Sequence, residues 1–415
     1  MEQSVKQRIA DIQQGNVPAG YRKIKLGIIP AGWNVELLGS IFVARDERVD
    51  NSFDTPLFSL TIEDGITAKT ERYEREFLVK KEKNYKKVYP GDFVYNPMNL
   101  RFGAIARYHG NTPCSVSGYY DVFYLKNPSF YGDFIETLLQ SDILLKEYAN
   151  AATGSLIEKQ RVHFSNFCKI GFMQPNELEI TKIAKFLGCC DRVIALKKEL
   201  IAEKKKQKKS LMQKLLNPDS GFRLPGFSGE WKSVMLSECV TLGKVKISPA
   251  DCDKSCKCIE LEHIAVESGK LLGHCSPERV QSLKTVFHKN DILFGKLRPY
   301  LKKIILAPFD GICCSECWVL KVAYNINPAF LYNRLFMDDF ISASCTVSGT
   351  KMPRADWQYV KDFQLFIPEI TEQQAIADIL SAADKEIDLL EQELVQQEQK
   401  KKSLMQLLLT GIVRV

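Results

Sequence analysis

Lys208-Lys209-Ser210-Leu211-Met212-Gln213 recurs as Lys401-Lys402-Ser403-Leu404-Met405-Gln406, 193 positions further along the chain. At the same offset and without insertion, Ile183-Ala184 falls on Ile376-Ala377, Leu187 on Leu380, Asp191 on Asp384 and Ile194 on Ile387. One element is used twice, and each copy has the period of a long helix. Positions 183, 187, 190, 194, 201, 211 and 215 hold Ile, Leu, Cys, Ile, Ile, Leu and Leu, and their counterparts are Ile376, Leu380, Ala383, Ile387, Leu394, Leu404 and Leu408. Spacings of four and three make a narrow apolar seam suited to pairing with another helix. At 1.5 Å per residue, Thr181 to Leu216 spans roughly 54 Å, longer than an ordinary globular helix.

Charge sets the expected direction of pairing. From Lys197 to Lys214 the first copy has eight lysines against Glu199 and Glu203. Asp384, Glu386, Asp388, Glu391, Glu393 and Glu398 make the early half of the second copy acidic. Only an antiparallel arrangement brings these stretches face to face. Polar seam positions Lys204, Lys208, Gln397 and Lys401 weaken the middle and fix register. Ile183, Leu187, Ile194, Leu211, Ile376, Leu380, Ile387 and Leu404 are the expected interface residues.

With 415 residues and 45% apolar content, the chain can bury two or three cores, and the 193-residue period fits two modules. No apolar run approaches the length of a membrane span, and the start Met1-Glu2-Gln3-Ser4-Val5-Lys6 lacks a signal-peptide core, so a cytoplasmic protein is expected. Thirteen cysteines without framework spacing suit a reducing compartment. A net charge of +7 leans towards an anionic partner, although much of it sits in the lysine-rich helix.

In chain order, a short amphipathic helix is expected over residues 2 to 14. Pro18-Ala19-Gly20-Tyr21 and Pro30-Ala31-Gly32-Trp33 come next as turns. Short strands are expected at Leu57 to Thr61, Asp92 to Tyr95, Ala104 to Tyr108 and Val122 to Leu125, and helical spacing from Phe134 to Tyr148. After the first long helix, Asn217-Pro218-Asp219-Ser220-Gly221 is a stop, and Pro225-Gly226-Phe227-Ser228-Gly229-Glu230-Trp231 restarts the pattern of residues 30 to 33. Gly91-Asp92-Phe93-Val94-Tyr95 then matches Asn290-Asp291-Ile292-Leu293-Phe294, and Thr153-Gly154-Ser155 matches Ser348-Gly349-Thr350. The expected fold is α+β: two similar domains with an antiparallel pair of long helices, a pseudo-two-fold internal repeat. Its segments are 1–180 (N-terminal segment and first domain), 181–217 (first helix), 218–370 (second domain) and 371–415 (second helix). Two related domains held apart by paired rods suit a reader of two half-sites.

Catalytic signatures are largely missing. There is no G-x-x-x-x-G-K-[ST] phosphate loop and no G-x-G-x-x-G after a strand. Tyr95-Asn96-Pro97-Met98 approaches the Asn-Pro-Pro-aromatic loop of amino-methyltransferases but lacks the second proline and the aromatic, and is taken as a turn. Cys252, Cys256, Cys258, His263, His274, Cys275, Cys314 and Cys317 contain only one C-x-x-C pair, and the first module has no counterpart, so reduced cysteines are expected rather than a zinc site. Basic clusters remain. Phe294-Gly295-Lys296-Leu297-Arg298-Pro299-Tyr300-Leu301-Lys302-Lys303 suits a loop that approaches phosphates and offers Lys296 or Arg298 to guanine. Its weaker counterpart holds Arg101, with Arg107 beyond. Lys159-Gln160-Arg161 and Lys351-Met352-Pro353-Arg354 precede the two long helices. The expected DNA contacts are Arg101, Arg107, Lys159 and Arg161 in the first module, and Lys296, Arg298, Lys302, Lys303, Lys351 and Arg354 in the second. For each, the alternative is a solvated loop.

These features together resemble the specificity (S) subunit of type I restriction-modification enzymes. The resemblance runs along essentially the whole chain. It rests on Gly20-Tyr21 to Ile29-Pro30 and Trp33, on Gly295-Lys296-Leu297-Arg298-Pro299-Tyr300-Leu301, on Ser348 to Arg354, and on Pro368 followed by Glu372-Gln373-Gln374-Ala375-Ile376-Ala377. In the first copy Pro175 and Glu179 match, but Ile180 replaces the glutamine, so that helix start is expected to be capped differently. The resemblance implies two target recognition domains, each reading half of a bipartite double-stranded DNA sequence across a helical spacer. It implies two methyltransferase (M) and two restriction (R) subunits as partners, with S-adenosylmethionine, ATP and Mg²⁺ on those subunits, and neither catalysis nor cofactor in this chain. Two rivals are a stand-alone DNA-binding regulator and a nuclease or methyltransferase with a diverged active site.

Overall fold

The computed structural model describes residues 2–50, 54–68, 85–127, 132–253, 255–345 and 353–415. The chain forms two compact units, Met1–Leu196 with Leu394–Val415, and Lys197–Glu393. Both repeats are single helices, Glu177–Leu215 and Ile370–Leu409. Each runs on from one unit's residues into the other's.

The first unit holds an antiparallel sheet in the order Ile105–Arg107, Phe93–Tyr95, Asp121–Leu125, Phe42–Arg45, and a second in the order Cys114–Ser117, Tyr85–Val88, Arg48–Val49. The second unit repeats both orders. Its sheets run Ile304–Leu306, Ile292–Gly295, Cys317–Val322, Val240–Leu242, and Gly311–Cys313, Lys284–Phe287, Lys246–Ile247, with Cys258–Ile259 added in parallel beside Gly311–Cys313. The expected strands are present, and Phe134 to Tyr148 forms two helices rather than one, because Ser141 caps the second by accepting from Leu144 N. The N-terminal helix spans Glu2–Gln13.

Local chemistry repeats with the topology. Gly91 and Asn290 both take left-handed backbone (φ 89° and 71°), which glycine and asparagine tolerate best. The next residue, an aspartate, closes each turn: Asp92 Oδ2 accepts from Tyr89 N at 2.9 Å and Asp291 Oδ2 from His288 N at 2.8 Å. The first unit's core gathers Phe42, Phe93, Phe123 and Phe167 against Ile183, Leu187 and Leu408. The second gathers Phe294, Phe330, Phe340 and Leu365 against Ile376, Leu380 and Leu215.

Within the second unit Lys204 meets Glu386 at 2.6 Å, Lys205 meets Glu391 at 2.7 Å and Lys208 meets Asp384 at 2.6 Å, and Lys197 also pairs with Glu393. From Lys197 through Lys204 to Lys208 the partner falls from Glu393 through Glu386 to Asp384, so the helices run antiparallel. In the first unit Lys401 pairs with Asp191. Exposed pairs of this kind contribute about 0–1 kcal/mol each, so they select direction while burial of the seam supplies the stabilisation. The seam side chains are not left open along a bare rod: Ile183, Leu187, Ile376 and Leu380 lie in their own units' cores and Ile387 is buried, whereas Ile194, Leu211 and Leu404 are half-buried.

The two helix starts differ as their sequences do. Asn176 Oδ1 accepts from Glu179 N at 2.9 Å, and the apolar Ile180 is buried. In the second copy Gln373 returns its amide to Pro368 O at 2.9 Å and accepts from Asn327 N at 2.8 Å. Among the described residues, no helix is long and apolar enough to cross a membrane.

Candidate nucleic-acid interface

In the second module the basic loop joins Ile292–Gly295 to Ile304–Leu306 around a 3-10 turn, Pro299–Leu301, with proline preset at its first position. Gly295 is required by close approach: a Cβ there would lie 2.8 Å from Leu261 Cδ1 and 3.1 Å from Lys303 O. Arg298 (φ 53°) and Lys302 (φ 47°) flank the turn in the left-handed region. Such backbone costs on the order of 1–2 kcal/mol per L-residue and persists where the surroundings enforce it. They do so here through the backbone: Lys296 N donates to Glu316 O at 2.8 Å, Arg298 N to Pro353 O at 2.8 Å and Ala355 N to Lys296 O at 2.9 Å. Lys296, Arg298 and Arg354 are thereby brought to one place.

Their side chains are not equivalent. Lys302 Nζ donates to Asp338 Oδ1 at 2.5 Å and to Phe336 O at 3.2 Å, and its hydrogen bond holds the Asp338 carboxyl below the ordinary carboxylate value. Lys303 Nζ donates to Leu261 O at 2.7 Å, and Arg354 Nη2 to Glu316 Oε1 at 2.5 Å. Lys296 and Arg298 are half-buried and make no side-chain hydrogen bond or ion pair among the described residues. Tyr300 is exposed beside them. Lys351 lies outside the described residues.

In the first module the matching 3-10 turn is Leu100–Phe102, and the residue closing it is Gly103 (φ 96°), where the second module has Lys302. Val162 N donates to Pro97 O at 2.9 Å, as Ala355 N does to Lys296 O. Arg101 Nη1 donates to Gln160 Oε1 at 2.9 Å and its guanidinium lies 4.7 Å from the exposed Phe102 ring, which gathers Arg101 with exposed Lys159 and Arg161. Arg107 instead pairs with Asp133 at 2.7 Å, at the start of helix Gly132–Leu139. Tyr95-Asn96-Pro97-Met98 is a turn in which Asn96 Oδ1 accepts from Met98 N at 3.1 Å.

Glu316 and Asp338 were invisible as parts of this site in sequence, because they lie 38 and 36 residues from the cations they hold. Among the described residues, no group of three or more His, Cys, Asp or Glu is arranged to hold a metal ion.

Residues 278–399, which contain the second basic loop, match the family described as type I restriction modification DNA specificity domain. The chain is 26% identical over 156 residues to the type I restriction enzyme EcoDI specificity subunit of Escherichia coli, covering 37% of this chain and 34% of that protein. It is 27% identical over 259 residues to the MjaVIII specificity subunit of Methanocaldococcus jannaschii, covering 57% of this chain and 60% of that protein. Thus the match spans less than two thirds of either relative. In fold it is similar to a chain from a study of complex assembly and conformational transition of the type I R-M system (TM-score 0.56, 13% identity, 93% of this chain and 99% of that one). It is also similar to the S subunit of M. genitalium (TM-score 0.53, 14% identity, 91% and 96%). Residues 278–399 are thus similar to the type I restriction modification DNA specificity domain, and the chain is similar in sequence over part of its length, and in fold over most of it, to type I specificity subunits.

Proposed function

We propose that this chain is the sequence-reading, non-catalytic subunit of a type I restriction-modification enzyme. Each module reads one half of a bipartite double-stranded DNA target, and the paired long helices separate the halves. Two M and two R subunits assemble on it, bringing S-adenosylmethionine, ATP and Mg²⁺, and the complex works in the cytoplasm. The observation that carries this is the repetition of one loop site: at equivalent places after equivalent strands, each module presents a 3-10 turn with cations and an exposed aromatic ring. Cations anchor phosphates and an unpaired arginine can reach a guanine edge.

On this reading Lys296 and Arg298 meet DNA directly, as do Lys159 and Arg161. Lys302 and Lys303 spend their ammonium groups inside the module and shape the loop. Arg101 and Arg354 complete the basic surface, and Arg107 and Lys351 are kept as further DNA contacts of this reading. The test is methylome sequencing of cells carrying this chain with its M subunit. A motif of two specified halves around an unspecified gap is expected, and Arg298→Ala should relax one position, costing about 1–3 kcal/mol of discrimination there. A discrete chain that binds one contiguous site without M would favour the regulator instead. Methyl transfer or cleavage by the isolated chain would favour a diverged enzyme.

A further inference from the structure

Cys314 and Cys317 sit at the two ends of the turn that links strand Gly311–Cys313 to strand Cys317–Val322. Cys317 N donates to Cys314 O at 3.1 Å, and the two sulfurs are 3.6 Å apart with one thiol hydrogen-bonded to the other. A hydrogen-bonded four-residue turn keeps its end Cα atoms within about 7 Å, which overlaps the range a disulfide needs, so closing the pair requires little more than side-chain rotation. The Cys317 thiol, with the backbone N–H groups of Glu316 and Leu261, holds the Cys314 thiol below its ordinary value, whereas burial pushes Cys313 and Cys258 up. Both thiols are buried; of the two, Cys314 is held nearer its thiolate form, and Cys317 lies within reach to resolve it.

The turn also supports the basic loop from behind. Glu316, between the two cysteines, accepts Lys296 N on its carbonyl and the Arg354 guanidinium on its carboxylate. Leu261, whose N–H faces the Cys314 sulfur, accepts Lys303 Nζ on its carbonyl. Because the interior is close-packed, a turn that tightens at its sulfurs displaces the groups it carries.

We infer that Cys314 and Cys317 are an oxidisable dithiol that a peroxide converts to a disulfide, and that this disulfide changes how the second module presents Lys296 and Arg354. The second half of the inference rests on the reading that this loop meets DNA. In the first step the Cys314 thiolate attacks one peroxide oxygen, the O–O bond breaks, and the departing hydroxide leaves as water with the Cys314 proton. Cys317 sulfur then displaces the sulfenic hydroxyl, which leaves as water with the Cys317 proton. Two thiols become one disulfide while one peroxide becomes two waters.

The full chain is treated with hydrogen peroxide, denatured in N-ethylmaleimide and mapped by peptide mass. The expected product is a Cys314–Cys317 disulfide, lighter by two hydrogens, unalkylated and restored by dithiothreitol, with Cys313 and Cys258 fully alkylated. C317S should instead accumulate a dimedone-trappable sulfenic acid at Cys314, and C314S neither product. Alkylation of both thiols at peroxide concentrations that oxidise the exposed Cys189 would overturn the dithiol, as would pairing of Cys314 with another cysteine. With the M subunit bound, binding to a fluorescein-labelled random-sequence DNA duplex should change several-fold on oxidation of the natural chain and not of C314S. A disulfide with unchanged binding would overturn the link to the loop. Failure of the reduced complex with M to bind DNA would overturn the functional reading and the loop consequence with it, while the mass result on the chain still decides the dithiol.

Discussion

Leu380→Ala should destabilise the second unit by about 2–5 kcal/mol, the range for truncating a buried leucine whose cavity cannot collapse. Leu380 is fully buried and packs in the cluster that contains Phe330, Leu331, Leu335 and Leu365. The long helix at this point is therefore part of a domain core. Leu187, its counterpart 193 residues earlier, is equally buried in the first cluster, and Leu187→Ala should cost as much there. Leu389→Ala on the same helix, 60% exposed, should stay within about 0.5 kcal/mol of the natural chain. Because a chain of two units is not expected to unfold in one step, the measurement is amide hydrogen exchange unit by unit. Leu380→Ala should accelerate exchange across residues 292–335 while leaving residues 93–125 protected. Equal behaviour of Leu380→Ala and Leu389→Ala would detach the helix from the core.

Glu372→Ala should be nearly as damaging, at about 3 kcal/mol, the low end for breaking a buried ion pair. Glu372 is 2% exposed and accepts both Arg223 Nε (2.9 Å) and Nη2 (2.7 Å); the low end applies because the Arg223 side chain keeps 30% exposure. Arg223 lies just beyond the end of the first long helix, and Glu372 opens the second. The first unit repeats the device: Glu179, at the start of the first long helix, accepts from Trp33 Nε1 at 2.8 Å and from Arg414, just past the end of the second. Each helix start is thus clamped from the other helix's tail, which fixes antiparallel register at both ends of the pair. In Glu372→Ala the fluorescence or circular dichroism midpoint in urea should fall, and Glu372→Gln, which keeps one acceptor, should fall less. No loss in either variant would mean that the seam alone holds the helix ends.

Legibility in the sequence depends on how far apart the interacting residues are. The long helices, their antiparallel direction and the repeat of the domains were readable, because periodicity, charge blocks and a constant offset are local or simply ordered signals. The difference between the helix starts at Ile180 and Gln373 was readable for the same reason. The seam was read as the interface of the paired helices, and its ends also join the domain cores: Ile183 and Leu187 share a cluster with Phe123 and Leu408, and Ile376 and Leu380 share one with Phe330 and Leu215, so a period of three and four marks a buried stripe without naming all that it faces. The basic loop was found, yet Lys296 and Lys302 look alike in sequence. Only tertiary structure puts Asp338 against one of them. The αL backbone at Arg298 and Lys302 had no signal at all, since asparagine or glycine would be the expected residue there.

The most direct test of the two-half reading lengthens both long helices together. Four residues inserted after Glu203, with four after Asp388, which lies about opposite because Lys204 meets Glu386 and Lys205 meets Glu391, keep the antiparallel partners in register. They add about 6 Å, nearly two base pairs, and rotate the downstream part of each helix by roughly one turn. Methylome sequencing of cells carrying this variant with its M subunit should return both half-sites unchanged, with the unspecified gap longer by one or two base pairs. Altered bases within a half-site, with the gap unchanged, would contradict the claim that the paired helices set the distance between two reading heads.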